Sequence, residues 1–139
     1  MDTFDPHRFI EAQAPVIGQV RRELQAGRKR THWMWFIFPQ LRGLGHSPTA
    51  RYFGLAGQQE ARAYLADVVL GPRLVECTAL VNQAGGGSAH QIFGSPDDMK
   101  FRSCMTLFAT IQPEPFEAAL RRWYEGKPDP STLALLRAT

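Results

Sequence analysis

Apolar residues recur along most of this chain at spacings of three and four, the pattern of helices that bury one face and expose the other. Phe9, Ile10, Val16, Ile17, Val20 and Leu24 share one side of a stretch that opens at Asp5-Pro6, an N-cap followed by proline at the first helical position, and closes at Gly27. Pro15 interrupts it, so either two short helices meet near Ala14 or one helix kinks there. The same start signal returns as Ser47-Pro48 before Thr49-Ala50-Arg51-Tyr52-Phe53, and as Ser95-Pro96-Asp97-Asp98 before Met99. At the latter, Ser95 is expected to accept a backbone N–H while the two aspartates set negative charge on the positive end of the helix. Ala61, Tyr64, Leu65 and Val68 mark one face of a helix through Glu60-Ala66, and Gly71-Pro72 opens another that carries Leu74, Val75, Thr78 and Val81 and ends at Gly85-Gly86-Gly87.

From Pro96 to Gln112 the pattern changes. Met99, Phe101, Cys104, Met105, Leu107, Phe108 and Ile111 cover much of the helix circumference, so this helix is expected at the centre of the molecule. Pro113 stops it, a helix from Pro115 to Tyr124 follows with Phe116, Ala119, Leu120 and Trp123 on one face, and Asp129-Pro130-Ser131-Thr132 introduces a short terminal one. The β-branched runs are short and never sustain two-residue alternation. The sequence therefore predicts an all-α fold, a single compact domain over residues 1–139 with about seven or eight short helices around a central apolar helix.

Composition leaves that picture intact and narrows the setting. A chain of 139 residues buries a sufficient core without disulfides or a metal. With 21% charged residues and a mean hydropathy of −0.26, it reads as a folded, water-soluble domain. The opening Met1-Asp2-Thr3-Phe4-Asp5-Pro6 is acidic and polar where a secretory leader would be basic and then apolar, and no apolar run approaches membrane-spanning length. A cytoplasmic location without membrane association is expected. Cys77 and Cys104 lie in apolar helical patterns with no Cys or His at metal-ligand spacing, so they are expected to be core thiols, with no metal and no cofactor. Charge is uneven: residues 1–55 carry eight Lys and Arg against four Asp and Glu, and residues 56–139 carry eight against nine. The basic first half suits an anionic ligand or forms a solvated surface.

The densest chemistry is Thr31-His32-Trp33-Met34-Trp35-Phe36-Ile37-Phe38-Pro39-Gln40, behind the cations Arg28-Lys29-Arg30 and ahead of Arg42-Gly43-Leu44-Gly45-His46-Ser47. Each indole N–H needs an acceptor, so the segment lines either the core or a pocket wall. From Gly27 to Gly45 it closely resembles the signature of a bacterial family known as domain of unknown function 1810, whose members often carry the label calpastatin, which nothing in this sequence supports. The resemblance continues through Glu60-Ala61-Arg62-Ala63-Tyr64-Leu65, Leu70-Gly71-Pro72-Arg73-Leu74, Ile92-Phe93-Gly94-Ser95-Pro96-Asp97-Asp98-Met99-Lys100, Ser103-Cys104-Met105-Thr106-Leu107-Phe108 and Gly126-Lys127-Pro128-Asp129. It implies a compact α-helical fold and no established activity, substrate or catalytic residue. Cys104 stands where members of that family often have a second serine, which argues against a need for a hydroxyl there. A more distant similarity, in character and not in alignment, is to the NADAR family of small all-α domains, and no residue is carried over from it.

If a site exists, His32, Trp33 and Trp35 are its expected wall, faced by Arg42 and Lys100. Indoles stack on heteroaromatic rings, guanidinium and ammonium groups hold phosphate or carboxylate, and imidazole titrates near neutrality. His32 and Lys100 are the candidate catalytic groups, and Trp33, Trp35, Arg42 and Ser103 the candidate ligand-binding ones. Ser103 lies three residues from Lys100 and so on the same helix face. Packing accounts for the same residues: the aromatics as core, His32 as a helix-start side chain, and Lys100 as a partner of Asp97, with Arg102 pairing Asp98. Two functions are therefore expected in competition. One is binding, or hydrolysis or group transfer, of a small anionic nucleotide-derived ligand. The other is a non-enzymatic interaction module for a protein or RNA partner, with RNA ranked below protein because the exposed aromatic pattern of RNA-binding modules is missing.

Overall fold

The computed structural model describes residues 4–138, so the acidic opening Met1-Asp2-Thr3 lies outside the described residues. Among the described residues ten α-helices follow one another: α1 His7–Gln13, α2 Ile17–Gln25, α3 Met34–Ile37, α4 Pro48–Phe53, α5 Gln58–Ala66, α6 Leu70–Gln83, α7 Ala89–Phe93, α8 Asp97–Ala109, α9 Phe116–Tyr124 and α10 Pro130–Ala138. A 3₁₀ turn at Arg42–Leu44 separates α3 from α4. The all-α prediction holds, but the expected count of seven or eight was low. Helices α3 and α7 have four and five residues, too few for an apolar period to repeat.

Local chemistry explains most of the boundaries. Pro15 falls between α1 and α2, which resolves the ambiguity in favour of two helices. Ser47 accepts the Ala50 N–H at 3.1 Å and starts α4 as expected, and Asp129 accepts the Thr132 N–H at 3.1 Å and starts α10. Ser95 does not cap α8. Pro96 takes the cap position with no side-chain bond, and Asp98 Oδ1 accepts the Met99 N–H at 2.9 Å instead. Val68, placed by its spacing on the buried face of α5, is 87% exposed. The helix ends before it, because Asp67 Oδ2 accepts the N–H groups of Val69 and Leu70 and starts α6 afresh.

One core joins these helices. It includes Phe9, Val20, Leu24, Trp33, Phe38, Tyr64, Leu74, Phe101 and Phe108, each at most 1% exposed. Helix α8 buries Phe101 and every residue from Ser103 to Phe108, and packs on α5, α7, α9 and α10. Phe101 meets Phe38 edge-on with ring centroids 4.9 Å apart and stacks on Phe93 at 4.7 Å, so the segment after α3 is locked onto the first half of α8. That lock sets the loop carrying Lys29 and His32 beside Asp97 and Lys100 at the start of α8. No helix among the described residues is long and apolar enough to cross a membrane.

Candidate functional site

A buried carboxylate decides the path of the loop between α2 and α3. Glu23 sits three residues after Val20 and one before Leu24, so α2 turns it inward, where it is 3% exposed. Its Oε1 accepts from Arg30 N at 2.7 Å, Thr31 N at 3.1 Å and Trp33 Nε1 at 2.9 Å, and its Oε2 from Thr31 Oγ1 at 2.7 Å and Gln19 Nε2 at 2.8 Å. Burial disfavours the charge, but the Arg30 N–H and the Thr31, Gln19 and Trp33 donors more than offset it and hold the carboxyl at about 2. Lys29 N, meanwhile, donates to Ile92 O at 2.7 Å and ties the loop to α7.

The tie brings Lys29 to α8. Its Nζ lies 3.0 Å from Asp97 Oδ2 and 5.2 Å from the Trp33 ring centroid. Asp97 Oδ1 is 3.4 Å from Nζ of Lys100, one turn further along α8, and that ammonium stands 3.8 Å from the Trp35 ring centroid. The side chains are 9% exposed for Lys29, 19% for Asp97 and 21% for Lys100. One carboxylate between two ammonium groups leaves a positive surplus, and limited contact with water weakens its screening.

Three adjoining hollows pass this cluster. The first, of ≈ 600 Å³, is lined by Arg28, Lys29, His90 and Gln91. The second, of ≈ 150 Å³, has Lys29, His32, Trp35, Asp97 and Lys100 on its walls, and the third, of ≈ 280 Å³, has Trp35, Gln40, Lys100, Ser103 and Asp129. Lys29 borders the first two, and Trp35 and Lys100 border the last two, so the hollows form a groove with cations along it.

A buried polar knot closes the third hollow. Ser103 Oγ donates to Asp129 Oδ2 at 2.9 Å, and the same oxygen accepts from Thr132 N at 3.1 Å and from the Thr132 hydroxyl at 2.5 Å. Asp129 N donates to Thr106 Oγ1 at 2.8 Å, so one residue caps α10 and fastens it to α8.

The six residues singled out from the sequence are only partly brought together. His32, Trp33, Trp35 and Lys100 border the second hollow, and Trp35, Lys100 and Ser103 the third. His32 is exposed at the rim. Trp33 is 1% exposed and belongs to the core, its indole N–H spent on Glu23. Arg42 stands apart: the 3₁₀ turn that carries it packs on α4 and α10, and the residue lines a separate hollow of ≈ 170 Å³ with Leu41, Ala56 and Leu135. Arg102 does not pair with Asp98 but donates to the carbonyls of Lys127 and Pro128, both at 3.0 Å.

The sequence singled out neither Gln40 nor Glu23, and it placed Lys29 only in a cationic run, Asp129 only at a helix start, and Asp97 only as a helix-start residue and partner of Lys100, a pairing the structure contains. For Glu23 a signal existed, since a carboxylate on the Val20–Leu24 stripe must find donors and the nearby indole N–H must find an acceptor. For the Lys29–Asp97 pair none did, because the partners are far apart along the chain. Both cysteines are buried and free. Burial pushes the Cys77 thiol up to about 12 and the Cys104 thiol well above its ordinary range, which suits neither to nucleophilic attack. Among the described residues no group of three or more His, Cys, Asp or Glu gathers as a metal site.

Fold and site together define a single all-α domain with a cationic groove beside the start of α8. The chain belongs to the family described as protein of unknown function (DUF1810), whose model it matches over residues 3–136. It is similar to the crystal structure of the conserved hypothetical protein Rv1873 from Mycobacterium tuberculosis, at 56% identity and a TM-score of 0.96, with 99% of this chain and 100% of that one covered. No curated protein matches the chain.

Proposed function

We propose that this protein binds a small anionic, nucleotide-derived ligand in the groove between the 28–33 loop and α8. The observation that carries this reading is the Lys29–Asp97–Lys100 cluster, two shielded ammonium groups sharing one carboxylate, with Lys100 laid against a half-buried indole. A phosphate would supply the negative charge this cluster lacks. Trp35 would border the ligand's ring, and Arg28 extends the cationic wall. His32, on the rim of the same hollow, is the group available to orient the ligand or carry a proton in a hydrolysis or group transfer. Arg42 has no part in it.

Thermal-shift measurements against nucleotides, ADP-ribose and phosphorylated sugars test the reading, run on the parent, Lys29→Met and Lys100→Met. A ligand at a hundredfold excess over its Kd stabilises by about 2.7 kcal/mol, which is roughly a 9 °C rise in Tm for a domain of this size. The expected result is such a rise in the parent and its loss in both variants. No shift with any anion overturns the proposal and favours the non-enzymatic interaction module.

A further inference from the structure

The third hollow holds chemistry that an anion alone does not use. Asp129 is 8% exposed, and while its Oδ2 takes three hydrogen bonds, no described residue donates to its Oδ1. Gln40, 9% exposed on the same hollow, has a side-chain amide without a partner among the described residues. Both groups open onto the hollow, and their free capacity there is one carboxylate oxygen and one amide that both donates and accepts.

The surroundings restrict what can satisfy them. Asp129 repels a second anion, and Lys100 on the same hollow repels a cation. Hydroxyl groups meet both conditions, because they donate to the carboxylate and exchange hydrogen bonds with the amide while carrying no charge. Trp35, Leu44 and Met99 add apolar wall, which suits the carbon face of a small ring. The Lys29–Lys100 cluster borders the neighbouring hollow, so one molecule with a phosphate at one end and hydroxyls at the other fits both.

We infer that the groove recognises a sugar phosphate, free or as the ribose phosphate of a nucleotide, with vicinal hydroxyls bound by Asp129 Oδ1 and the Gln40 amide. This rests on the anion-binding reading and adds the part of the ligand that gives selectivity. Asp129 and Gln40 are then specificity residues, and Lys29 and Lys100 supply the common phosphate affinity.

Titration calorimetry on the full chain separates the two claims. The probes are ribose 5-phosphate against tetrahydrofurfuryl phosphate, which keeps ring and phosphate without the hydroxyls, and AMP against its 2′,3′-dideoxy form. Two hydroxyl contacts predict that the hydroxylated member of the binding pair is at least about tenfold tighter. Gln40→Leu, which leaves the α10 cap untouched, and Asp129→Asn, which keeps an oxygen for that cap, should each cut the preference to about threefold while phosphate affinity remains. Lys100→Met should weaken hydroxylated and hydroxyl-free probes alike. Whichever parent compound binds tighter identifies the source of the sugar phosphate. Equal affinity within the pairs overturns the hydroxyl assignment and leaves the anion reading standing; no binding by any phosphate overturns both.

Discussion

Replacing Glu23 by glutamine tests whether a single carboxylate holds the cationic loop in place. Glutamine keeps an acceptor where Oε1 meets Arg30 N, Thr31 N and Trp33 Nε1, but puts an NH₂ where Oε2 accepts from Thr31 Oγ1 and Gln19 Nε2. Thr31 can rotate to accept. Gln19 cannot turn its amide freely, because its Oε1 already accepts from Arg22 at 2.7 Å. Losing the charge on several bonds and gaining one donor–donor conflict costs about 2–3 kcal/mol at pH 7, since charged hydrogen bonds are worth roughly 1.5–3 kcal/mol and neutral ones about 1. The pH dependence has a definite sign. The folded carboxyl is depressed to about 2 from an ordinary 4.5, so its contribution is complete above pH 4.5 and disappears as pH falls from there to about 2. At about 1.4 kcal/mol per pH unit that contribution is on the order of 3 kcal/mol, consistent with the hydrogen-bond figure. Urea unfolding followed by circular dichroism at pH 7, 5, 4 and 3 measures it: the curves of parent and Glu23→Gln should lie far apart at pH 7 and converge toward pH 3. A gap below about 0.5 kcal/mol at pH 7, within the range of ordinary surface substitutions, or a gap that does not narrow with acid, would show that the Glu23 carboxylate does not hold the loop.

Three further outcomes follow from the packing. Gly71→Ala should cost about 2–3 kcal/mol, because a Cβ there would sit 2.1 Å from the Leu65 carbonyl oxygen, a backbone atom that cannot step aside; a loss below 0.5 kcal/mol in urea would show that α5 and α6 can separate there. The thiols of Cys77 and Cys104, both buried and with their ionisation pushed up by burial, should resist a thiol-specific reagent in native protein at pH 8 and react as two equivalents once unfolded, whereas rapid native labelling would contradict their burial. Ser47→Ala removes the acceptor of the Ala50 N–H and should lower stability by about 1 kcal/mol, with Ser47→Asp restoring most of it; equal losses in both would show that the cap is not the cause.

Much of this protein was legible from short-range pattern. Three-and-four spacing, proline at first turns and the lack of alternation determine an all-α fold, and they place α2, α6, α8 and α9 within a few residues. Side chains one turn apart share a face wherever the helix lies, which is why Ser103 falls beside Lys100 and why Cys104 falls in the core. Asp129 likewise announces the start of α10, since an N-cap bond spans only three residues. Short elements escape this logic. Helices α3 and α7 form because neighbouring packing holds them, not because their own sequence repeats.

Only tertiary structure decided which of the aromatic and charged residues meet. Trp33 and Trp35 are two positions apart, yet the first is buried with its indole N–H on Glu23 and only touches the second hollow, while the second is half-buried along both the second and the third, because the turn into α3 rotates them to different sides. Arg28-Lys29-Arg30 reads as a uniform cationic run, but the main-chain bond from Lys29 to Ile92 selects Lys29 alone for Asp97, 68 positions further along the chain. Arg42 looks equivalent to Lys100 in the sequence and ends in another hollow, since the 3₁₀ turn packs it toward α10. The distinction is physical: helix propensity and capping act within one or two turns, whereas electrostatic partnership depends on distances in space that no local spacing encodes.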